Sequence, residues 1–248
     1  MLKIHQLNIK YKNQESIINN SIIEVKPGET IAFIIPNNGG KEYLFNYFRS
    51  NTLITFNNQS LTKNNSLFFS FQPLEKSDLS VLKYMAEILP KNTDTTQQIL
   101  SLCTKYDLNP DKLKLPLNEL SPFELMDIYL IIINIKKPNV VIMNNTWLYL
   151  VPSQKEIIKN RMKQLQKDLK FVLVYLTHRI EDIDFTNRAL VIDQGKIMIN
   201  DNYEQVVKQL PVNLAQPFYV NLSAFLKLYN LIEDDYFSME ELGEAIWK

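Results

Sequence analysis

Residues 31–35, Ile-Ala-Phe-Ile-Ile, form an unbroken apolar run that ends in Pro36, Asn37, Asn38, Gly39 and Gly40, and beyond this loop Leu44, Phe45 and Phe48 recur at helical spacing. A strand without polar alternation is buried on both faces, as in parallel sheets covered by helices. The chain is thereby directed toward folds that pass from a central strand through a tight loop straight into a helix.

The remaining pattern repeats this theme. Residues 2–11 alternate as a strand, residues 21–25 follow, and Pro27-Gly28 turns the chain into the apolar run. Residues 51–72 carry further strand material ending at 68–71, whereas 79–89 and 96–107 have apolar residues spaced for helices. Ser121, Pro122 and Glu124 mark a helix start: an N-cap serine, a proline at the first helical position and an acid to close a capping box. That helix is expected to run to about Ile135. Buried-type strands are expected at 140–143, 171–176 and 189–192, with helices at 153–169 and 179–185 between them, and such alternation argues a parallel sheet with crossovers. Gly195 turns the chain into 197–199, and 203–210 reads as the last helix of the main unit. From Pro211 the composition shifts to proline and aromatic residues, followed by two short helices, the second opened by Ser238 and Glu241.

Composition sets limits on function. The chain of 248 residues is long enough for one domain and a small appendage, and its 27 lysines and arginines offset 27 acids, so no global field draws it to nucleic acid. Cys103 is the single cysteine, which excludes an intramolecular disulfide and fits a reducing cytosol. No apolar stretch approaches the roughly 20 residues that cross a bilayer and the amino terminus lacks a signal-peptide pattern, so membrane association is expected through partners. Five glycines is a low number, and any phosphate-binding loop here must be glycine-poor.

Residues 35–43, Ile-Pro-Asn-Asn-Gly-Gly-Lys-Glu-Tyr, occupy the position of a phosphate-binding loop between buried strand and helix. Against the pattern G-x-x-x-x-G-K-[ST], Ile35 replaces the first glycine, Gly40 and Lys41 match, and Glu42 stands at the hydroxyl position. Five further landmarks follow in order: Tyr11, Gln72, Leu-Ser-Pro-Phe-Glu at 120–124, Val-Val-Ile-Met-Asn-Asn at 140–145, and Thr177-His178. Together they resemble the ATP-binding subunits of ABC transporters over nearly the whole chain. The resemblance implies a P-loop ABC-type α/β domain over 1–210, with a mixed sheet core, an antiparallel β subdomain and a helical subdomain at about 73–137, followed by a helical, dimerisation-like element at 211–248. It casts Tyr11 as the aromatic that stacks on adenine and residues 37–43, from Asn37 to Tyr43, as the phosphate cradle. Gln72 becomes the Q-loop glutamine, Ser121 the signature serine and His178 the switch histidine.

Several substitutions depart from that family's pattern. The residue that should hold Mg²⁺ from the loop is Glu42, the Walker B aspartate is Asn144, and the glutamate that polarises the attacking water is Asn145. A neutral amide is a weaker partner for a hard dication than a carboxylate, and it accepts no proton at neutral pH. Glu42 has two readings. It repels phosphate and neutralises Lys41, or it ligates Mg²⁺ in place of Asn144; the lack of a second acid nearby in sequence favours the first. Pro122 removes one helix-start N–H and Phe123 places a ring where glycine would admit phosphate. Val151 stands before Pro152 where the D-loop aspartate is expected.

The tail, Gln216 to Leu231 and then Phe237 to Lys248, resembles the C-terminal element of energy-coupling-factor transporter ATPases. That resemblance implies a peripheral subunit on the inner face of the cell membrane. It would pair with a second ATPase, a transmembrane coupling protein and a substrate-binding membrane subunit for micronutrient uptake. The expectation is a hydrolysis-deficient assembly or regulatory partner with weak ATP binding and doubtful Mg²⁺. An active ATPase with a rearranged Mg²⁺ site at Glu42 and a soluble ABC-like regulator are the alternatives.

Overall fold

The computed structural model of the chain describes residues 1–5, 7–11, 14–18, 23–36, 40–50, 54–70, 78–90, 92–193, 196–210 and 216–247; side chains are described outside 7–18. Its strands are β1 (Leu2–Ile4), β2 (Leu7–Tyr11), β3 (Gln14–Ile18), β4 (Ile23–Val25), β5 (Thr30–Ile34), β6 (Ile54–Phe56), β7 (Gln59–Ser60), β8 (Ser66–Ser70), β9 (Val140–Asn144), β10 (Val172–Thr177), β11 (Arg188–Asp193) and β12 (Lys196–Asp201). Its α-helices are α1 (Lys41–Ser50), α2 (Val81–Ile88), α3 (Thr93–Lys105), α4 (Pro122–Lys136), α5 (Pro152–Leu169), α6 (Tyr203–Lys208), α7 (Phe218–Leu228) and α8 (Met239–Ile246).

Six strands form the central sheet in the order β12-β11-β5-β10-β9-β8, and every pairing except that of β12 with β11 is parallel. β5 is buried at all five positions because both faces are covered. The side-chain period of two divides the sheet residues between two cores. Ile31, Phe33, Val172 and Val174 face α1 and the small sheet β4-β1-β6-β7, whereas Ala32, Ile34, Leu173 and Tyr175 face the layer containing α4 and α5. The expected parallel sheet with crossovers is thus present, with an antiparallel sheet packed on one side.

Helix α4 starts as the residues demand. Ser121 Oγ accepts from the Glu124 N–H at 3.2 Å and Glu124 Oε2 accepts from the Ser121 N–H at 2.8 Å. Residues 125–133 are buried without interruption, so this helix is enclosed on every side and carries no polar face to read. Tyr129 stacks on Phe69 at 4.2 Å and donates to the Ser70 carbonyl at 3.2 Å, tying α4 to the edge strand β8.

Two expectations change. The alternating run 2–11 is two strands in different sheets, because β1 pairs with β4 and β6 while β2 turns back on β3, a strand the sequence pattern did not reveal. The helix expected at 179–185 is a single 3-10 turn, Ile180–Asp182. Asp182 is buried against Lys155, and the exposed Asp184 that follows the turn pairs with Lys159 at 2.6 Å, both lysines on α5. The turn expected at Gly195 lies outside the described residues. Among the described residues no helix is long and apolar enough to cross a membrane.

A buried ion pair locks α4 to α5, with Arg161 Nη1 2.5 Å from Asp127 Oδ1 and the guanidinium over the rings of Tyr106 and Phe123 at 5.3 and 5.5 Å. Burial pushes the Asp127 carboxyl up to about 6 although Arg161 pulls the other way. Removing one partner of such a pair costs about 3 kcal/mol or more. Arg161→Ala is therefore expected to destabilise the chain by about that amount at pH 7.5. Because the folded carboxyl binds its proton more readily than the unfolded one, the deficit should shrink as pH falls through 6, which urea melts at pH 5.5 and 7.5 would measure.

Candidate functional site

In-register parallel pairing brings three separate motifs to one edge of the sheet. Ile34 of β5 lies opposite Thr177 of β10, and Leu176 of β10 lies opposite Asn144 of β9. Two further backbone bonds hold the segments where the strands end: the Ile35 N–H donates to the Thr177 carbonyl at 2.9 Å and the Asn145 N–H to the Leu176 carbonyl at 2.9 Å. This is the carboxyl end of a parallel sheet, where open α/β folds place their ligands.

Helix α1 starts at this edge. Gly40 has φ +88°, a left-handed conformation open to glycine, and its carbonyl receives the Leu44 N–H at 2.9 Å. The edge contact of Phe48 with Phe33, ring centres 5.5 Å apart, fixes α1 on β5 and so sets the direction of Lys41 and Glu42. Lys41 Nζ lies 3.3 Å from His178 Nδ1. An ammonium group has no acceptor, so Nδ1 must accept and the ring proton belongs on Nε2. Burial lowers the pKa of His178, with Lys41 adding to that effect; burial also lowers Lys41, partly offset by Glu42.

Glu42 is engaged elsewhere. Its Oε1 accepts from Asn144 Nδ2 at 2.6 Å, so the two positions expected to bear on a metal touch directly. A carboxylate has no proton to donate, which requires the Asn144 amide to present its NH₂ to Glu42 and its oxygen to the interior. Asn144 is 1% exposed, and its Oδ1 has no partner among the described residues. Asn145 adopts φ 51°, a left-handed conformation that asparagine tolerates far better than glutamate.

Other expected site residues divide into three groups. Tyr11 ends β2, but its side chain lies outside the described residues, as do Asn37, Asn38, Gly39 and Gln72. Tyr43 is half-buried in the first turn of α1. Ser121 is exposed and acts as the N-cap of α4, with its own N–H taken by Glu124. The Phe123 ring, in the first turn of α4, packs against the guanidinium of Arg161 at 5.5 Å. Pattern reading missed Asp182 and Lys155. Asp182 is buried beside Thr177, its Oδ2 3.5 Å from the Thr177 hydroxyl, and its pairing with Lys155 clamps the segment after His178 onto α5. The signal available in sequence was an acid four residues beyond the histidine, next to an apolar Ile183.

The His178 shift can be measured directly. An NMR titration of the imidazole protons should give His178 a pKa below 6.5 and lower than that of a His178 freed from its cationic neighbour by Lys41→Met. Since the folded ring resists protonation, the stability it contributes is present above pH 6.5 and is lost as pH falls toward the depressed value.

No family model matches the chain. It is 22% identical to a putative ABC transporter ATP-binding protein of Clostridium acetobutylicum over 94% of its own length and 92% of that protein. It is also 22% identical to the energy-coupling factor transporter ATP-binding protein EcfA2 of Clostridium perfringens, over 99% of this chain and 93% of the relative. The solved structure of CbiO1 from Clostridium perfringens, described as part of the ABC transporter complex CbiONQ, superposes with a TM-score of 0.68 at 17% identity, covering 100% of this chain and 98% of the other. A dimeric ATP-binding cassette bound to ADP and phosphate superposes with a TM-score of 0.65 at 16% identity over 82% of this chain and 99% of that one. The chain therefore has the fold of the ABC ATPase cassette, and its relatives in sequence carry the names of ABC and energy-coupling-factor transporter ATP-binding proteins.

Proposed function

We propose that this chain is an ATP-binding-type subunit of an ABC transporter of the energy-coupling-factor kind that assembles with a second ATPase and contributes little or no hydrolysis itself. The observation that carries the reading is the hydrogen bond from the Asn144 amide to Glu42. Phosphoryl transfer depends on Mg²⁺, on donors around the phosphates and on a group that orients water. The donor set here does not fit Mg²⁺. The loop hydroxyl is replaced by a carboxylate already bound by an amide, the Asn144 oxygen faces away from that carboxylate, and among the described residues no group of three His, Cys, Asp or Glu side chains gathers around a common point. An amide at 145 provides no base, a loss worth roughly 10²–10⁴-fold in rate.

Lys41 and the start of α1 still suit a phosphate group, which supports weak nucleotide binding independent of divalent metal. The partner's composite site would be weak too. At the start of α4, Pro122 has no N–H, and those of Ser121 and Glu124 are consumed by the capping box. Few donors remain to face a phosphate held by another subunit. The name of EcfA2 and the description of CbiO1 as part of a transporter complex support membrane attachment through partners on the inner face. A cleft of about 360 Å³ beside β8, lined by Phe68, Tyr84 and Ile88 with Arg49 and Lys136, suits docking of a coupling segment.

Titration of the purified chain with ATP should give the same weak affinity with and without Mg²⁺, and turnover at background. The double variant Glu42→Ser with Asn144→Asp should acquire Mg²⁺-dependent binding, and adding Asn145→Glu should raise turnover by about 100-fold or more when the partner subunit is present. Tight Mg²⁺-dependent binding by the unaltered chain that Glu42→Ala abolishes would overturn the reading and assign Glu42 to the metal.

A further inference from the structure

The cleft beside β8 carries a charge pattern that the chain as a whole does not have. It is walled by the end of α1, the turn between β7 and β8, β8 itself, α2 and the end of α4. These elements bring the cations Arg49, Lys63 and Lys136 to one space of about 360 Å³, where Glu87 is the acid on the lining. Lysines and arginines balance acids over the full sequence, so this local excess of positive charge comes from the packing. Among the described residues no carboxylate forms an ion pair with any of the three cations. Lys136 Nζ donates to the Ile88 carbonyl at 3.0 Å, which ties its ammonium to the end of α2, while Arg49 and Lys63 are exposed.

Backbone and ring groups complete the lining. β8 is the outer strand of the central sheet. The Asn65 carbonyl accepts the Val140 N–H at 3.2 Å, so residues 65, 67 and 69 turn their backbone groups to β9, whereas Ser66, Phe68 and Ser70 turn theirs outward. The Ser66 N–H is taken by the Thr62 carbonyl and the Ser70 carbonyl by the Tyr129 hydroxyl. The N–H and C=O of Phe68, on the cleft, have no partner among the described residues. Burial pushes the Tyr84 phenol above its ordinary range, with Glu87 adding to that effect and Arg49 opposing it, so the hydroxyl stays protonated as a further donor. Phe68, Tyr84 and Ile88 supply apolar wall. A concave space of this size, with a few polar groups converging on apolar walls, suits a small molecule, and a cleft lined by one sign of charge concentrates the opposite ion.

We propose that this cleft binds a small organic anion, a carboxylate on a planar apolar body, with the charge held by Arg49 and Lys63 and the body against Phe68, Tyr84 and Ile88. The guanidinium of Arg49 presents a planar fork that meets a carboxylate with two parallel bonds, and Lys63 adds a point charge. The same cleft suits a coupling segment and the two occupants exclude each other, so on that reading the anion regulates docking. Binding of the anion itself needs neither partner nor nucleotide, so its failure and the failure of that reading are separable.

The experiment is calorimetric titration of the full chain with 2-naphthoate, and with the neutral 2-naphthamide as comparator, at about 50 mM salt. The acid should bind saturably at one site, and the amide about tenfold or more weakly. The double variant Arg49→Ala with Lys63→Ala, which removes two exposed side chains and should keep the melting temperature, is expected to weaken the acid about tenfold or more, as should salt raised to about 0.5 M. Lys41→Met should leave this binding unchanged. The absence of saturable binding would overturn the proposal, as would affinity that the double variant does not alter. Binding lost in Lys41→Met would assign the anion to the phosphate loop and overturn it too. If 2-naphthoate fails while an acetylated and amidated acidic peptide binds through Arg49 and Lys63, the cleft belongs to a partner's acidic segment and the proposal falls.

Discussion

Parallel hydrogen bonding of β10 between β5 and β9 is the constraint on which the candidate site depends. One register places Thr177 beside Ile34 and Leu176 beside Asn144, and the backbone bonds of Ile35 and Asn145 extend that alignment past the strand ends. Residues separated by more than 100 positions thereby meet, and both Lys41–His178 and Glu42–Asn144 follow from it. A parallel sheet achieves this only if both faces are buried. The alternation of Ile31, Phe33 and Ile35 with Ala32 and Ile34 provides one residue set for each core.

Around this edge the polar groups satisfy one another instead of waiting for a ligand. A lysine ammonium faces a neutral imidazole, and a carboxylate faces an amide. A charge-assisted hydrogen bond joins Glu42 to Asn144, and such bonds are about twice as strong as neutral ones. A cation entering between Glu42 and Asn144 has to displace that bond and turn the amide. The left-handed backbone at Asn145 adds a second obstacle to restoring the ordinary chemistry, since a glutamate there carries a conformational cost that asparagine largely avoids.

Much of the architecture was legible because its signals are local. The apolar run at 31–35, the Ser121 capping box and the proline at the start of α5 each act within a few residues, and the structure contains all three elements. The legible part of the site was residue identity: Lys41, Glu42, Asn144 and His178 were read from motif position, and they meet at one edge. The helix expected at 179–185 shortens to one turn, where Asp182 and Asp184 pair with Lys155 and Lys159 of α5, contacts that spacing along the chain does not encode. The Phe123 ring likewise packs against the guanidinium of Arg161, far along the chain, a contact that no local pattern encodes.

By itself, the order of residues determined the strand–loop–helix unit, the burial of the central strands, the asparagines that stand at 144 and 145, and the proline- and aromatic-rich tail with its two short helices. These depend on side-chain type and on spacing over one or two turns. Only the tertiary structure decided that Glu42 takes Asn144 as its partner, which nitrogen of His178 carries the proton, and which way the aromatic groups of the tail point. Each of those outcomes is set by groups brought within hydrogen-bond or van der Waals reach by sheet register and helix packing, and distance in space has no counterpart in position along the chain.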